Sequence, residues 1–146
     1  MMTLDEIKDV LISAVRSDAV LGAIPEITKD RHAPVKEGSV AERIVIVIPG
    51  GSGNGAFQRC HPRICVYVPY QRVRKADKTG YYAPDAGRLR ELEIACIGMF
   101  RSSTYVVCGQ ESCLYRLDGI TEEDDSETWS NFLNVRLNFE VVNTKL

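Results

Sequence analysis

From Leu133 to Val142 the chain alternates without a break. Leu133, Val135, Leu137, Phe139 and Val141 fall on one face, and Asn134, Arg136, Asn138 and Glu140 on the other. A period of two held this long predicts a β-strand with one face in a core and one in water. The C-terminal stretch is therefore expected to belong to the fold. Upstream, no catalytic signature competes with it, so the residues constrain the fold more tightly than the chemistry.

A length of 146 residues suits a single domain spanning residues 1–146, with one core. The net charge is −2, which gives no global attraction to DNA, RNA or anionic membranes. Neither a membrane partner nor a sequence-specific nucleic-acid partner is expected. No apolar run approaches the roughly 20 residues of a membrane span. The acidic start, Met1-Met2-Thr3-Leu4-Asp5-Glu6, is unlike a signal peptide, so the expected location is the cytoplasm. Five cysteines, an odd number, argue against a secreted disulfide framework.

Thr3 opens a predicted helix with Glu6 completing a capping box. Leu4, Ile7, Leu11 and Ala14 mark its apolar face, widened by Val10 and Val15. Asp18 is placed to cap a short turn through Leu21, ended by Gly22. The stretch from Pro25 to Glu37 reads as a connector. Ile44 to Ile48 has no polar residue, which predicts a strand covered on both faces. Pro49 and Gly50 stop it, and Gly51 to Gly55 read as the loop of a long hairpin returning through Arg63 to Val68.

Gln71 to Pro84 is a polar connector, followed by a second helix from Pro84 or Asp85 to about Arg101. Its predicted buried stripe is Leu89, Leu92, Cys96 and Met99, with Ile97 and Phe100 at the margins. Tyr105 to Cys108 and Cys113 to Leu117 read as a second hairpin around a four-residue loop. An acidic loop, Thr121 to Thr128, leads into the last strand. The predicted fold class is α+β: a mixed, mostly antiparallel sheet of about five strands, with the N-terminal and central helices packed on one face. The helical connection is the place where parallel neighbours would be joined.

Several clusters invite chemical readings. Gly50 to Gly55 resembles a phosphate loop in composition, but it leads into a strand and lacks a Gly-Lys-Ser/Thr ending. A hairpin tip is the plainer reading. Cys60, His61, Cys65, Cys108 and Cys113 include zinc-ligand types without a Cys-x-x-Cys pair. Cys60 and Cys65, five apart, would sit on opposite faces of a regular strand, and Cys96 sits on a buried helix stripe. Cys108 and Cys113 are expected to face each other across a hairpin as reduced thiols, with a redox pair as the alternative. His32 and His61 belong to no triad or dyad pattern. Neither a metal, a cofactor nor a catalytic residue is assigned.

Glu122, Glu123, Asp124, Asp125 and Glu127 read as a solvated acidic loop without EF-hand spacing. Arg72, Arg74 and Lys75, with Lys78 and then Tyr81 and Tyr82, mix positive charge with aromatics. That mixture suits a protein interface, single-stranded DNA or a plain solvated loop, and the interface reading is preferred here. Trp129 reads as a core or edge anchor.

The element order resembles the tail-terminator (tail-completion) proteins of long-tailed bacteriophages and their prophages. The matching pieces are the Thr3–Val15 helix, the Ile44–Ile48 and Ile64–Val68 strands and the Gln71–Pro84 loop. They continue with the Asp85–Arg101 helix and the acidic Asp118–Thr128 connection into Leu133–Val142. The resemblance implies a non-enzymatic structural protein of the virion: a homo-oligomeric ring that caps the tail tube and joins it to the head connector. It implies tail-tube and head-connector proteins as partners. Contacts are then expected at Arg72, Arg74, Lys75, Tyr81 and Tyr82 and at the 50–55 tip, and the acidic segment becomes a candidate for lining the channel. The alternative class is a small ligand- or metal-binding module built on the cysteine-containing strands, and a third is an enzyme of unrecognised site.

Overall fold

The structure, a computed structural model, describes residues 2–29, 41–49, 51–54, 57–74 and 80–143. In chain order these form α1 (Leu4–Ser17), β1 (Glu26–Lys29), β2 (Arg43–Val47), β3 (Gly51–Asn54), β4 (Phe57–Cys60), β5 (Arg63–Pro69), β6 (Gln71–Arg74) and β7 (Gly80–Ala83). Then come α2 (Ala86–Phe100), β8 (Thr104–Cys108), β9 (Glu111–Asp125) and β10 (Ser130–Asn143), with short 3-10 turns at Leu21–Ala23 and Ser126–Thr128.

Helix α1 starts where the capping box predicts. The Thr3 hydroxyl accepts from the Glu6 N–H at 3.1 Å, and Glu6 Oε2 accepts from the Thr3 N–H at 3.4 Å. Ile7, Leu11, Ile12 and Val15 are buried, whereas Leu4 at the open first turn stays exposed. The Asp18 carboxylate then accepts from the N–H groups of Val20 and Leu21 and turns the chain. Gly22 lies in the middle of this turn rather than after it. A Cβ there would stand 2.4 Å from the Arg16 carbonyl oxygen, so only glycine fits this crossing.

Asp85 caps α2 by accepting from the Arg88 N–H at 3.2 Å. Leu89, Leu92, Cys96 and Phe100 form its buried face. Phe100 is fully buried against Tyr115, while Met99 is only half-buried; the last turn rolls the aromatic ring inward. Arg88 is held by Glu42 at 2.6 and 2.9 Å and by Glu91 at 3.0 Å, which ties α2 to the approach of β2.

The α+β class holds, with both helices on one face of the sheet, but the sheet is larger than five strands. Eight strands form it, in the order β1-β2-β5-β10-β4-β3, with β9 on the other side of β10 and β8 beyond β9. A separate antiparallel ribbon joins β6 to β7. The extra strands come from segments whose glycine, proline or charge content reads as loop. Gly51–Asn54 pairs with Phe57–Cys60 instead of forming a hairpin tip, and Glu26–Lys29 runs parallel to β2. The parallel pair therefore does not flank α2. The acidic stretch to Asp125 is the second half of a long strand, paired along its length with β10. Backbone pairing overrides side-chain polarity in each case.

Strand β10 keeps its alternation. Leu133, Val135, Leu137, Phe139 and Val141 are each at most 2% exposed. A register shift between Arg136 and Leu137 leaves Asp118 unpaired on β9, so the bulge falls on the partner strand and β10 never changes face. Beneath the helices, Phe139 stacks on Tyr115 with ring centroids 5.5 Å apart. On the opposite face a smaller cluster of Val45, Cys65 and Tyr67 adjoins Phe132, whose ring stacks on Tyr67 at 4.8 Å. This cluster buries Val45, so the unbroken aliphatic run of β2 is covered on both sides.

Replacing Leu137 by Asp puts an unpaired charge at a position with no exposure. The expected cost is several kcal/mol, about 3 or more, enough to unfold most of the protein at room temperature. Urea melts followed by circular dichroism check this, and an unshifted midpoint contradicts the assigned core face.

Candidate interaction surfaces

The ribbon β6–β7 leaves the sheet and carries the predicted basic and aromatic residues. Its register sets Arg72 opposite Tyr82, Val73 opposite Tyr81 and Arg74 opposite Gly80. Opposed residues point to the same side, so Arg72, Arg74 and Tyr82 share one face, and Val73 and Tyr81 share the other. Arg72, Arg74, Tyr81 and Tyr82 are all exposed. Lys75 and Lys78 lie outside the described residues, as do His32, Gly50 and Gly55.

The root of the ribbon is fastened by Trp129. This residue has φ 53° and ψ 41°, a left-handed conformation that a bulky side chain adopts only when its surroundings hold it there. Its carbonyl accepts from the Tyr70 N–H at 2.9 Å, and its ring meets Tyr82 edge-on with centroids 5.6 Å apart. The Tyr70 hydroxyl donates to Asp124, and Gln71 Nε2 donates to the Pro84 carbonyl at 3.1 Å. Trp129 is thus the edge anchor expected, and what it holds is the root of the ribbon, which its sequence position does not reveal.

The cysteines do not assemble. Cys60 ends β4 on the core face, and Cys65 of β5 belongs to the cluster on the opposite face. The hairpin between β8 and β9 turns through Gly109 and Gln110 alone, with Gly109 at φ 62°. Glycine at the first of two central positions fits a type II′ turn, which sets the register. Cys108 therefore pairs with Glu111, and Cys113 with Val106, so the two thiols are diagonal neighbours rather than directly opposed. All five cysteines are free thiols. Cys113 Sγ also lies 3.2 Å from Met2 Sδ. Among the described residues no three His, Cys, Asp or Glu side chains converge as metal ligands.

His61 is exposed at the corner between β4 and β5, with Nδ1 3.0 Å from Asn138 Oδ1. It borders a cavity of about 380 Å³ that Arg59, Arg116, Asn138 and Glu140 also line. Neither Arg59 nor Arg116 was singled out from the sequence. Their convergence depends on β4 pairing with the C-terminal half of β10, which no local pattern signals. Among the described residues no helix is long and apolar enough to cross a membrane. No protein-family model matches the chain, and no curated protein matches it significantly.

Burial raises the thiols of Cys60 and Cys65 to about 11, and those of Cys96 and Cys113 to about 12. Alkylation proceeds through the thiolate. Treatment of the native protein with iodoacetamide near neutral pH is expected to label Cys108, the half-buried thiol, first. The other four should label only on unfolding. Mass spectrometry of peptides reads the order, and rapid native labelling at Cys65 or Cys113 contradicts the burial.

The Tyr70 phenol is pushed from 10.0 up to about 12, first by burial and then by its bond to Asp124. A pKa raised in the folded state contributes stability that is complete below the unfolded value and lost as pH climbs through the folded one. The ribbon root is therefore expected to hold to about pH 10 and loosen toward pH 12. Ultraviolet titration of tyrosinate, compared with Tyr70→Phe, tests this. A Tyr70 that ionises near its ordinary value is the contrary result.

Proposed function

We propose that this protein is a structural subunit of a phage or prophage tail, self-associating into a ring that caps the tail tube and meets the head connector. The observation that carries this reading is the anchored ribbon of β6 (Gln71–Arg74) and β7 (Gly80–Ala83). It projects two exposed tyrosines and two arginines from a rigid sheet, fixed at its base by Trp129. Tyrosine and arginine are residue types favoured at protein interfaces, and a rigidly rooted arm limits the ordering cost of binding. The order of helix, strands, helix and closing strands is the part of the resemblance that remains, although Gln71–Arg74, Gly80–Ala83 and the acidic segment are strands rather than loops. Its working mechanism is contact formation: heterologous interfaces repeated by rotation close into a ring.

Two readouts test it. Negative-stain electron microscopy of the purified protein should show closed rings. Mixed with the tail-tube protein encoded beside it, it should stop tube elongation at a defined end. A chain that stays monomeric at every concentration, from a locus without tail genes, overturns the proposal.

A further inference from the structure

The sheet face opposite the helices carries a band of arginines. Arg63 on β5 lies directly across from Arg136 on β10. In the next rows Arg116 of β9 faces Asn138, and Arg59 of β4 faces Glu140. Arg63, Arg116 and Arg59 are exposed. Arg136 lies flat over Gly119, where a Cβ would come within 2.7 Å of its Nη2. Glu140, 3.5 Å from Arg59, is the one carboxylate lining the cavity beside this band. No carboxylate of the described residues forms a salt bridge with Arg63, Arg116 or Arg136. Like charges directly opposed across two strands cost stability, so the band calls for an anion from outside the chain.

The same chain carries a matching surface. Glu122, Glu123, Asp124 and Glu127 are exposed, and no Lys or Arg of the described residues forms a salt bridge with them. Strand β8 pairs with β9 only as far as Tyr115, so the acidic half of β9 is a free edge among the described residues. Acidic side chains keep such an edge from pairing with an identical one, which disfavours a symmetric contact and leaves one with a surface of opposite sign. Within one chain the two surfaces do not neutralise each other. Glu123 accepts from Asn134 Nδ2 at 2.8 Å and Asp124 from the Tyr70 hydroxyl, and among the described residues neither forms a salt bridge with the arginines of the band.

We infer that the acidic edge Glu122–Glu127 of one copy docks on the arginine band Arg59, Arg63, Arg116 and Arg136 of the next. This names a contact within the ring proposed above and rests on that reading. It also gives the acidic segment a neighbour to bind instead of a channel to line. A nucleic acid would meet the same arginines, but only a second copy brings an acidic edge that no Lys or Arg of the described residues neutralises.

Complementation tests it. The variant Arg63→Glu/Arg116→Glu and the variant Glu122→Lys/Glu127→Lys are each followed by sedimentation velocity, alone and mixed, with circular dichroism confirming that both fold. The wild type should associate at low salt and lose about tenfold or more in affinity near 1 M salt, where the Debye length is about 3 Å. Each variant alone should sediment as a monomer, because its two surfaces then repel. The equimolar mixture should recover the assembly, because each mixed contact pairs opposite charges. A mixture that stays monomeric, or single variants that associate like the wild type, overturns the contact while leaving the ring standing. A wild type that never associates removes both. Single-stranded oligonucleotide binding that disappears in Arg63→Glu/Arg116→Glu, with association untouched, assigns the band to nucleic acid and also overturns it.

Discussion

Strand β10 is the element on which the rest depends. It is paired with β9 along one side and with β5 and then β4 along the other, so its backbone groups are claimed on both edges. Its inward residues meet α2 and share one core with α1, and its outward residues form the floor of the open face. Because the period of a strand is two, a slip of one residue would carry Leu133 through Val141 into water. The bulge at Asp118 protects against that slip. It absorbs an irregularity on β9 and leaves the central strand in register.

That register decides which polar residues meet. Arg63 lies beside Arg136, and Arg116 beside Asn138, because β5 and β9 flank β10 at those points. Arg59 joins them only through β4, which replaces β5 as the neighbour of β10 beyond the corner at Pro62. There the Leu137 N–H donates to the Pro62 carbonyl at 3.0 Å, stitching the handover between the two strands. The core and the basic face are thus two readings of one set of backbone hydrogen bonds.

The elements legible in the sequence were those in which local chemistry and tertiary context agree. The Thr3–Glu6 capping box, the aliphatic run of β2 and the alternation of β10 each carry their own signal, and each appears where expected. The strands that sequence reading missed are those whose side chains argue against a strand. Gly51–Asn54 is rich in glycine, and residues 122–125 are all acidic. What makes them strands is a neighbour's unpaired backbone, which is invisible locally. The basic and aromatic ribbon was legible as a cluster but not as an arm. The arginine band was not legible at all, since its members come from four strands spread over much of the chain.

In an assembly of the kind proposed, the arm and the charged surfaces would divide the work in a way their energetics dictate. Exposed ion pairs contribute about 0–1 kcal/mol each and weaken with salt, so arginines facing carboxylates cannot hold a ring alone. They can select the orientation of approach and reject the symmetric one, which is what charge does best at interfaces. Affinity must come from desolvated apolar and aromatic area. On this chain that area sits on Tyr81 and Tyr82 of the arm and on Tyr105 and Val107 of β8, all well exposed. Tyr105 and Val107 point outward from the edge strand, in the same rows as Leu114 and Val142, both also exposed. A subunit so arranged would be guided by charge and retained by aromatic contact, and each contact could stay weak because closing a ring adds one further contact with no further subunit to immobilise.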